Sequence, residues 1–270
     1  MIRVRFPAAL FVAFVLASFA RPFPVLAAPE VHKLNLVISG IPGSVKGGGF
    51  NDVIDAYNQL LESHGIIGLD HIASGWHFDG ELRYFVRPNL AIALGVGSIT
   101  VSQSGEVFPR LQQDITYEAK MSGVPVHLGA GYYLAPYRQG DFQARAYFGA
   151  GLVSMFGVSA TLTENEVGTD SSTTLGNPRT PPNSFTITGT NDSPGFYAEG
   201  GAHMWFASRF SVMLGAYYRS ARVDNLVLKE NVAKGVDRGG LYDGVIYVNG
   251  KPASADFSGL GFRMAIGIGL

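Results

Sequence analysis

The sequence predicts an all-β fold: one eight-stranded antiparallel up-and-down transmembrane β-barrel with a short amphipathic helix in its first long loop. Three observations carry this prediction. Large apolar residues alternate with small ones at period two, as in Leu90, Ile92, Leu94 and Val96 against Ala91, Ala93, Gly95 and Gly97. Beyond the N-terminal segment, no stretch reaches the roughly 18 consecutive apolar residues of a spanning helix. The connections between alternating segments are short and long in turn.

Composition agrees. Hydrophobic residues make up 47 % and charged residues 15 %, against roughly 25 % charged in a soluble protein, so part of the surface is not built for water. The chain has 35 Gly, 18 Phe and 12 Tyr, a mixture suited to close-packed strands with aromatic belts. A net charge of −1 without a Lys/Arg cluster gives no field for nucleic acid. Zero Cys excludes disulfides, thiolate metal sites, a catalytic thiol and a lipidated cysteine.

Residues 1–27 read as a signal peptide. Arg3 and Arg5 precede an apolar run of 13 residues from Ala8 to Ala20, and Val25-Leu26-Ala27 is a small-residue cleavage pattern. Loss of Arg3, Arg5 and Arg21 leaves 17 of the 20 basic residues against 21 acidic ones, so the mature domain, 28–270, carries −4.

Eight segments of spanning length follow: 33–41, 73–86, 89–102, 115–135, 141–163, 195–207, 209–226 and 255–270. The last presents Leu260, Phe262, Met264, Ile266, Ile268 and Leu270 on one parity, against Gly261, Arg263, Ala265, Gly267 and Gly269. In a soluble sheet the face opposite the greasy one is polar. Here it is mostly Gly and Ala, which fits a narrow barrel whose greasy face meets lipid.

Short turns at Arg87-Pro88-Asn89, 135–141 and Ala207-Ser208-Arg209 alternate with long polar connections starting at Pro42, Gln103, Glu164 and Val227. Within the first, Val53, Ile54, Tyr57, Leu60 and Leu61 recur at helical spacing over 51–63, with Gly65 as a stop and Gly47-Gly48-Gly49 as a flexible entry. The third, with Pro178, Pro181 and Pro182, reads as mobile coil. In the fourth, Asn249-Gly250 after Val245-Ile246-Tyr247-Val248 signals a hairpin in which strands seven and eight continue above the membrane. Trp76, Phe78, Tyr84, Phe85, Tyr132, Tyr133, Trp205, Phe206, Tyr217 and Tyr218 lie near strand ends and read as interfacial girdles.

Chemistry is sparse. The inward parity carries Asp79, Glu81, Arg83, His127, Arg145, Glu199, His203, Arg219 and Arg263. Charges enclosed in a narrow barrel must pair, because an unpaired one costs several kcal/mol, so these residues form a candidate interior polar network. His64, Asp70, His71 and His77 match no metal-ligand spacing, and no nucleophile has a base suitably placed beside it. Neither a metal, a cofactor nor a catalytic residue is expected.

The signal peptide, the alternating segments, the turn pattern and the C-terminal stripe resemble the outer-membrane β-barrel superfamily that includes the transmembrane domain of outer membrane protein A. That superfamily commonly ends in Phe or Trp, where this chain has Leu270. The resemblance implies a Gram-negative outer-membrane location and a monomer surrounded by lipid and lipopolysaccharide. It also implies biogenesis by the barrel-assembly machinery and periplasmic chaperones.

Three function classes follow: a noncatalytic barrel presenting extracellular loops for surface structure, adhesion or recognition; a narrow channel or carrier for small solutes, apolar ones included; and a soluble periplasmic barrel. Intact-mass measurement of the purified protein is expected to place its N-terminus at Ala28, and a mass that retains residues 1–27 refutes the cleavage.

Overall fold

A computed structural model describes residues 32–62, 68–107, 113–168, 183–189, 194–206, 209–233, 236–237 and 245–270. The predicted signal peptide, the helix stop at Gly65 and the prolines of the third loop lie outside them.

Eight strands form the wall: β1 (Leu34–Ser44), β2 (Ser74–Arg87), β3 (Leu90–Val107), β4 (Gln113–Tyr133), β5 (Phe142–Gly168), β6 (Gly195–Phe206), β7 (Phe210–Ser220) and β8 (Gly259–Gly269). Each pairs antiparallel with the next. β8 returns to β1 from Asn35↔Gly269 to Gly43↔Gly261, which closes the predicted barrel. The C-terminal stripe points outward, with Leu260, Phe262, Met264, Ile266, Ile268 and Leu270 exposed by 40–63 %. Ile38, Phe78, Leu82, Ile92, Leu94, Leu128, Phe148, Leu152 and Phe210 continue the belt around the wall. Strands crossing it with about ten residues at about 3.3 Å each, tilted by about 40°, cover about 25 Å.

The predicted aromatic girdles divide. Trp76, Phe78, Tyr84 and Phe206 are exposed on the wall, whereas Phe85, Tyr133, Trp205 and Tyr217 are buried inside. The reason is the two-residue period: in Tyr84-Phe85, Tyr132-Tyr133, Trp205-Phe206 and Tyr217-Tyr218, adjacent rings project to opposite faces.

At the long-loop end the architecture departs from coil. The second connection is a tall hairpin, because β3 and β4 stay paired as far as Val107↔Ile115. β5 also continues upward and changes partner. Its lower part pairs with β6 as far as Val153↔Gly195, and from Val158↔Gly189 it pairs with a strand at Asn183–Gly189, where coil was expected. The fork falls at Gly157, whose φ of 57° gives β5 one extra residue and shifts the β4 register between Ser122 and Val124.

β7 and β8 continue upward only as one short pairing and do not reach the Asn249-Gly250 turn as expected. β7 ends at Ser220, Arg222–Val223 pairs with Ala255–Asp256, and Asn225, with φ 57°, turns the chain toward Asn183–Gly189. Asn249-Gly250 does make its hairpin, joining Tyr247–Val248 to Lys251–Pro252 with φ of 50° and 73°.

The helix α1 runs from Gly49 to Glu62. Its entry is an ordered left-handed turn rather than a flexible one. Gly47 and Gly48 have φ of 70° and 66°, and Ser254 Oγ accepts from Gly49 N at 3.0 Å. Asn51 and Asn58 side chains pair with the backbone of Ile72 and Leu69, pinning the return segment. Phe50 and Ile54 are fully buried in an apolar core with Ile41, Ile99, Met121, Met155 and Phe257, so the helix plugs the barrel mouth. Tyr57 donates to Glu164 Oε2 at 3.2 Å, and burial beside that carboxylate raises its pKa.

Phe50→Ala removes the ring that seats α1, a truncation costing roughly 3–5 kcal/mol locally. The expected result is faster proteolysis within α1 and unchanged barrel strands. Equal protease resistance in variant and wild type contradicts this packing.

Candidate functional site

Between the mouth and the short turns, the inward face carries charge. Successive inward positions of β2 supply Asp79, Glu81 and Arg83, β6 supplies Glu199 and β8 supplies Arg263, all buried. Arg83 donates through Nε to Glu81 Oε1 at 2.7 Å, through Nη1 to Tyr133 Oη at 2.6 Å and through Nη2 to Glu199 Oε1 at 2.8 Å. Arg263 donates through Nε to Ser39 Oγ at 2.9 Å and through Nη1 to Glu199 Oε2. Its Nη2 lies 3.6 Å from Asp79 Oδ2 and 3.5 Å from Glu81 Oε2. Glu199 therefore bridges both guanidinium groups, and carboxylates separate the two cations.

Cross-strand register makes the room. Asp79 faces Gly97, Glu81 faces Gly95, Glu199 faces Gly149 and Arg263 faces Gly215. A Cβ on Gly95 would stand 2.3 Å from His127 Nε2, and one on Gly129 2.2 Å from Tyr197 Oη. The small inward residues are thus the space that long polar side chains occupy.

Seven of the nine inward polar residues connect. Besides the five already described, His127 Nε2 lies 3.0 Å from Asp79 Oδ1, and His203 Nδ1 lies 3.2 Å from Tyr133 Oη. Arg145 and Arg219 point inward but stand apart. Arg145 donates to Pro88 O and lies 5.7 Å from the Trp205 ring centre; Arg219 donates to Phe257 O and faces His77 Nδ1 at 3.2 Å. Tyr133, Ser39 and His77 are not among the residues the sequence assigns to the interior network, His77 being weighed there only for metal, although all three share the inward parity of their strands.

Apolar layers enclose the cluster. On the long-loop side lie Tyr197 and Tyr217, stacked at 5.7 Å, with Val153, Met155 and Phe257. On the short-turn side lie Phe85, Tyr133, Tyr147, Trp205 and Met213. Arg83, Glu81 and Arg263 are at most 1 % exposed, so water does not reach them.

Asp79, Glu81 and His127 bring ligand atoms within 4.8 Å of one another. Arg263 already supplies positive charge to both carboxylates, so a divalent ion there would have to displace its guanidinium. Of the sequence group considered for metal, His77 points inside, His71 meets Asp55 on the surface at 2.7 Å, and His64 lies outside the described residues.

No protein-family model and no curated protein matches the chain. Among solved structures, the crystal structure of Neisserial surface protein A (NspA) is similar over 88 % of this chain and 97 % of that one, at 10 % identity and a TM-score of 0.38. The closed eight-stranded topology stands on the register given above.

Glu199→Gln leaves Arg83 and Arg263 short of their shared counter-charge, an expected loss of about 3–5 kcal/mol in urea unfolding of lipid-reconstituted protein. Asp224→Asn, which breaks the exposed Arg222–Asp224 pair, is expected to change stability by less than about 0.5 kcal/mol. Equal effects of the two substitutions refute the clamp.

Proposed function

We propose that this chain is a noncatalytic integral outer-membrane protein whose plugged barrel anchors a folded extracellular module for surface structure, adhesion or recognition. The observation that carries the reading is the reversal of polarity along single strands. On β3 the outward series Ile92, Leu94 and Val96 gives way to Ser98, Thr100 and Ser102, and on β4 Val126 and Val124 give way to Ser122, Lys120 and Glu118. Inside, charges give way over the same span to Ile99, Val101, Ala119 and Met121. Lipid around the lower part and water around the upper part account for both changes. A soluble barrel would leave the belt of Phe, Leu and Ile against water, which large contiguous apolar patches do not tolerate.

The short turns then face the periplasm, and α1, the tall hairpin and the Asn183–Gly189 and Val227–Ala233 strands form the surface offered outside. A channel requires a continuous water path, whereas the charged layer is enclosed above and below by rings.

Fractionation and heat-modifiability test the placement. The protein is expected in the outer-membrane fraction, with gel mobility that shifts on boiling; a soluble band without a shift overturns it. In planar bilayers the reconstituted protein is expected to stay silent across voltage, and stepwise conductance moves the reading to a channel.

A further inference from the structure

The β1–β8 seam is notched where the apolar belt meets the extracellular module. Pro42 has no N–H, and pairing is missing at Ile41 and Pro42 between Gly40↔Met264 and Gly43↔Gly261. Gly43, Gly259 and Gly261 let the two backbones approach closely there, Gly43 against Leu260 O and Gly259 against Ser44 O, and a small cavity with room for about one oxygen-sized group lies beside them. Its outer rim is Trp76 and Leu260, both exposed on the belt, and its inner end is Tyr217 and Arg219, both buried. The cavity is therefore bordered by belt residues on its outer side and by two polar side chains of the interior on the other.

Those side chains have hydrogen-bonding capacity left. Among the described residues the Tyr217 hydroxyl makes no hydrogen bond of ordinary geometry, and it lies beside the Arg219 guanidinium. Arg219 has no carboxylate within 4.0 Å among the described residues, unlike Arg83 and Arg263. Its Nε and one N–H of Nη2 serve Phe257 O, and one N–H of Nη1 faces His77 Nδ1. Of five N–H donors, two remain beyond these three contacts, with the Tyr217 hydroxyl beside them.

The level is that of a lipid headgroup. Ser44 and Ser74 are exposed one step above, and the Trp76 and Phe78 rings stack at 5.8 Å just below, as aromatic residues do at the membrane interface. We propose that the notch is a socket for one phosphate oxygen of an outer-leaflet lipid, taken by Arg219 and Tyr217 while an acyl chain lies along Trp76, Phe78 and Leu260. The cation and the hydroxyl supply charge-assisted donors, and the opening admits one oxygen while the rest of the headgroup stays outside. The inference rests on the membrane placement proposed above.

Native mass spectrometry of the detergent-purified full chain tests it, with phosphatidylglycerol, with digalactosyl diacylglycerol, which lacks phosphate, and with inorganic phosphate as competitor. The wild type is expected to retain one phosphatidylglycerol, about tenfold or more tightly than the galactolipid, and to keep it in millimolar phosphate. Arg219→Gln and Tyr217→Phe are each expected to weaken retention about tenfold, whereas Arg222→Gln, which removes a surface cation outside the notch, leaves it unchanged.

Equal retention of the two lipids overturns the socket, as does full retention in a folded Arg219→Gln protein. Displacement by inorganic phosphate reassigns it to a free anion and overturns the lipid. If Arg219→Gln does not fold, the wild-type selectivity and Tyr217→Phe decide. A heat-modifiable protein without lipid selectivity sinks this inference alone, because the membrane placement has its own test in fractionation.

Discussion

Inside a hydrocarbon belt no water is present to satisfy an unpaired strand edge, and each bare backbone N–H or C=O costs several kcal/mol. In the proposed membrane placement, everything else in this structure depends on that constraint being met at the β1–β8 seam, where the two ends of the wall join. The pairing of Asn35 to Gly43 with Gly269 to Gly261 meets it along most of the seam. The weak point is Pro42, which donates nothing. Just above it Ser44 supplies a side-chain substitute: its hydroxyl accepts from Leu260 N at 3.0 Å and donates to Leu260 O at 3.2 Å. The seam is thus completed by a serine at the height where the belt ends.

Closure at eight strands fixes a narrow interior, and the interior sets the sequence of the inward face. A barrel of this size has room for side chains and little else. Two arginines and three carboxylates in such a space destabilise the fold unless each charge meets its opposite with good geometry. Three successive inward positions of one strand, Asp79, Glu81 and Arg83, provide most of the cluster, Glu199 arrives from β6 on the opposite wall, and Arg263 from β8, one strand beyond β1. The glycines opposite them are therefore part of the electrostatics. Without Gly95, His127 could not lie against Asp79, and without Gly129 and Gly151, Tyr197 could not lie across the top of the charged layer.

What the sequence made legible follows from locality. The outward stripe, the inward parity, the turn at Pro88-Asn89 and the hairpin at Asn249-Gly250 each depend on neighbours within a few residues, and each lies where the pattern puts it. The period of α1 was legible for the same reason, although its seat in the barrel mouth was not, because Ser254 and Phe257 come from the other end of the chain. The fork of β5 was hidden. Gly157 looks like any other glycine of the strand, and the partner strand Asn183–Gly189 is polar enough to read as coil. Parity put Arg145 and Arg219 inside, but parity carries no height, and height separates them from the cluster: one lies near the short turns beside Pro88, the other beneath the mouth beside Phe257.

Height is also what gives a single inward register two chemistries. β4 keeps Tyr117, Ala119, Met121, His127 and Tyr133 on the inside throughout, even across its shift of register at Ser122. Under the proposed membrane placement, lipid around the wall already stabilises the apolar outer face, and the inside is free to hold charges that fix one arrangement of strands. Where water surrounds it, the outer face gains nothing from burial, so the inside must supply the hydrophobic core, and α1 and Phe257 are drawn in to complete it. Tyr197 and Tyr217 lie at the change, with their rings in the upper core and Tyr197 edge-on to His127 below. The module above the wall therefore cannot shift as a unit without uncovering the charged layer. That coupling makes the module a rigid extension of the wall, distinct from loops that merely connect strands.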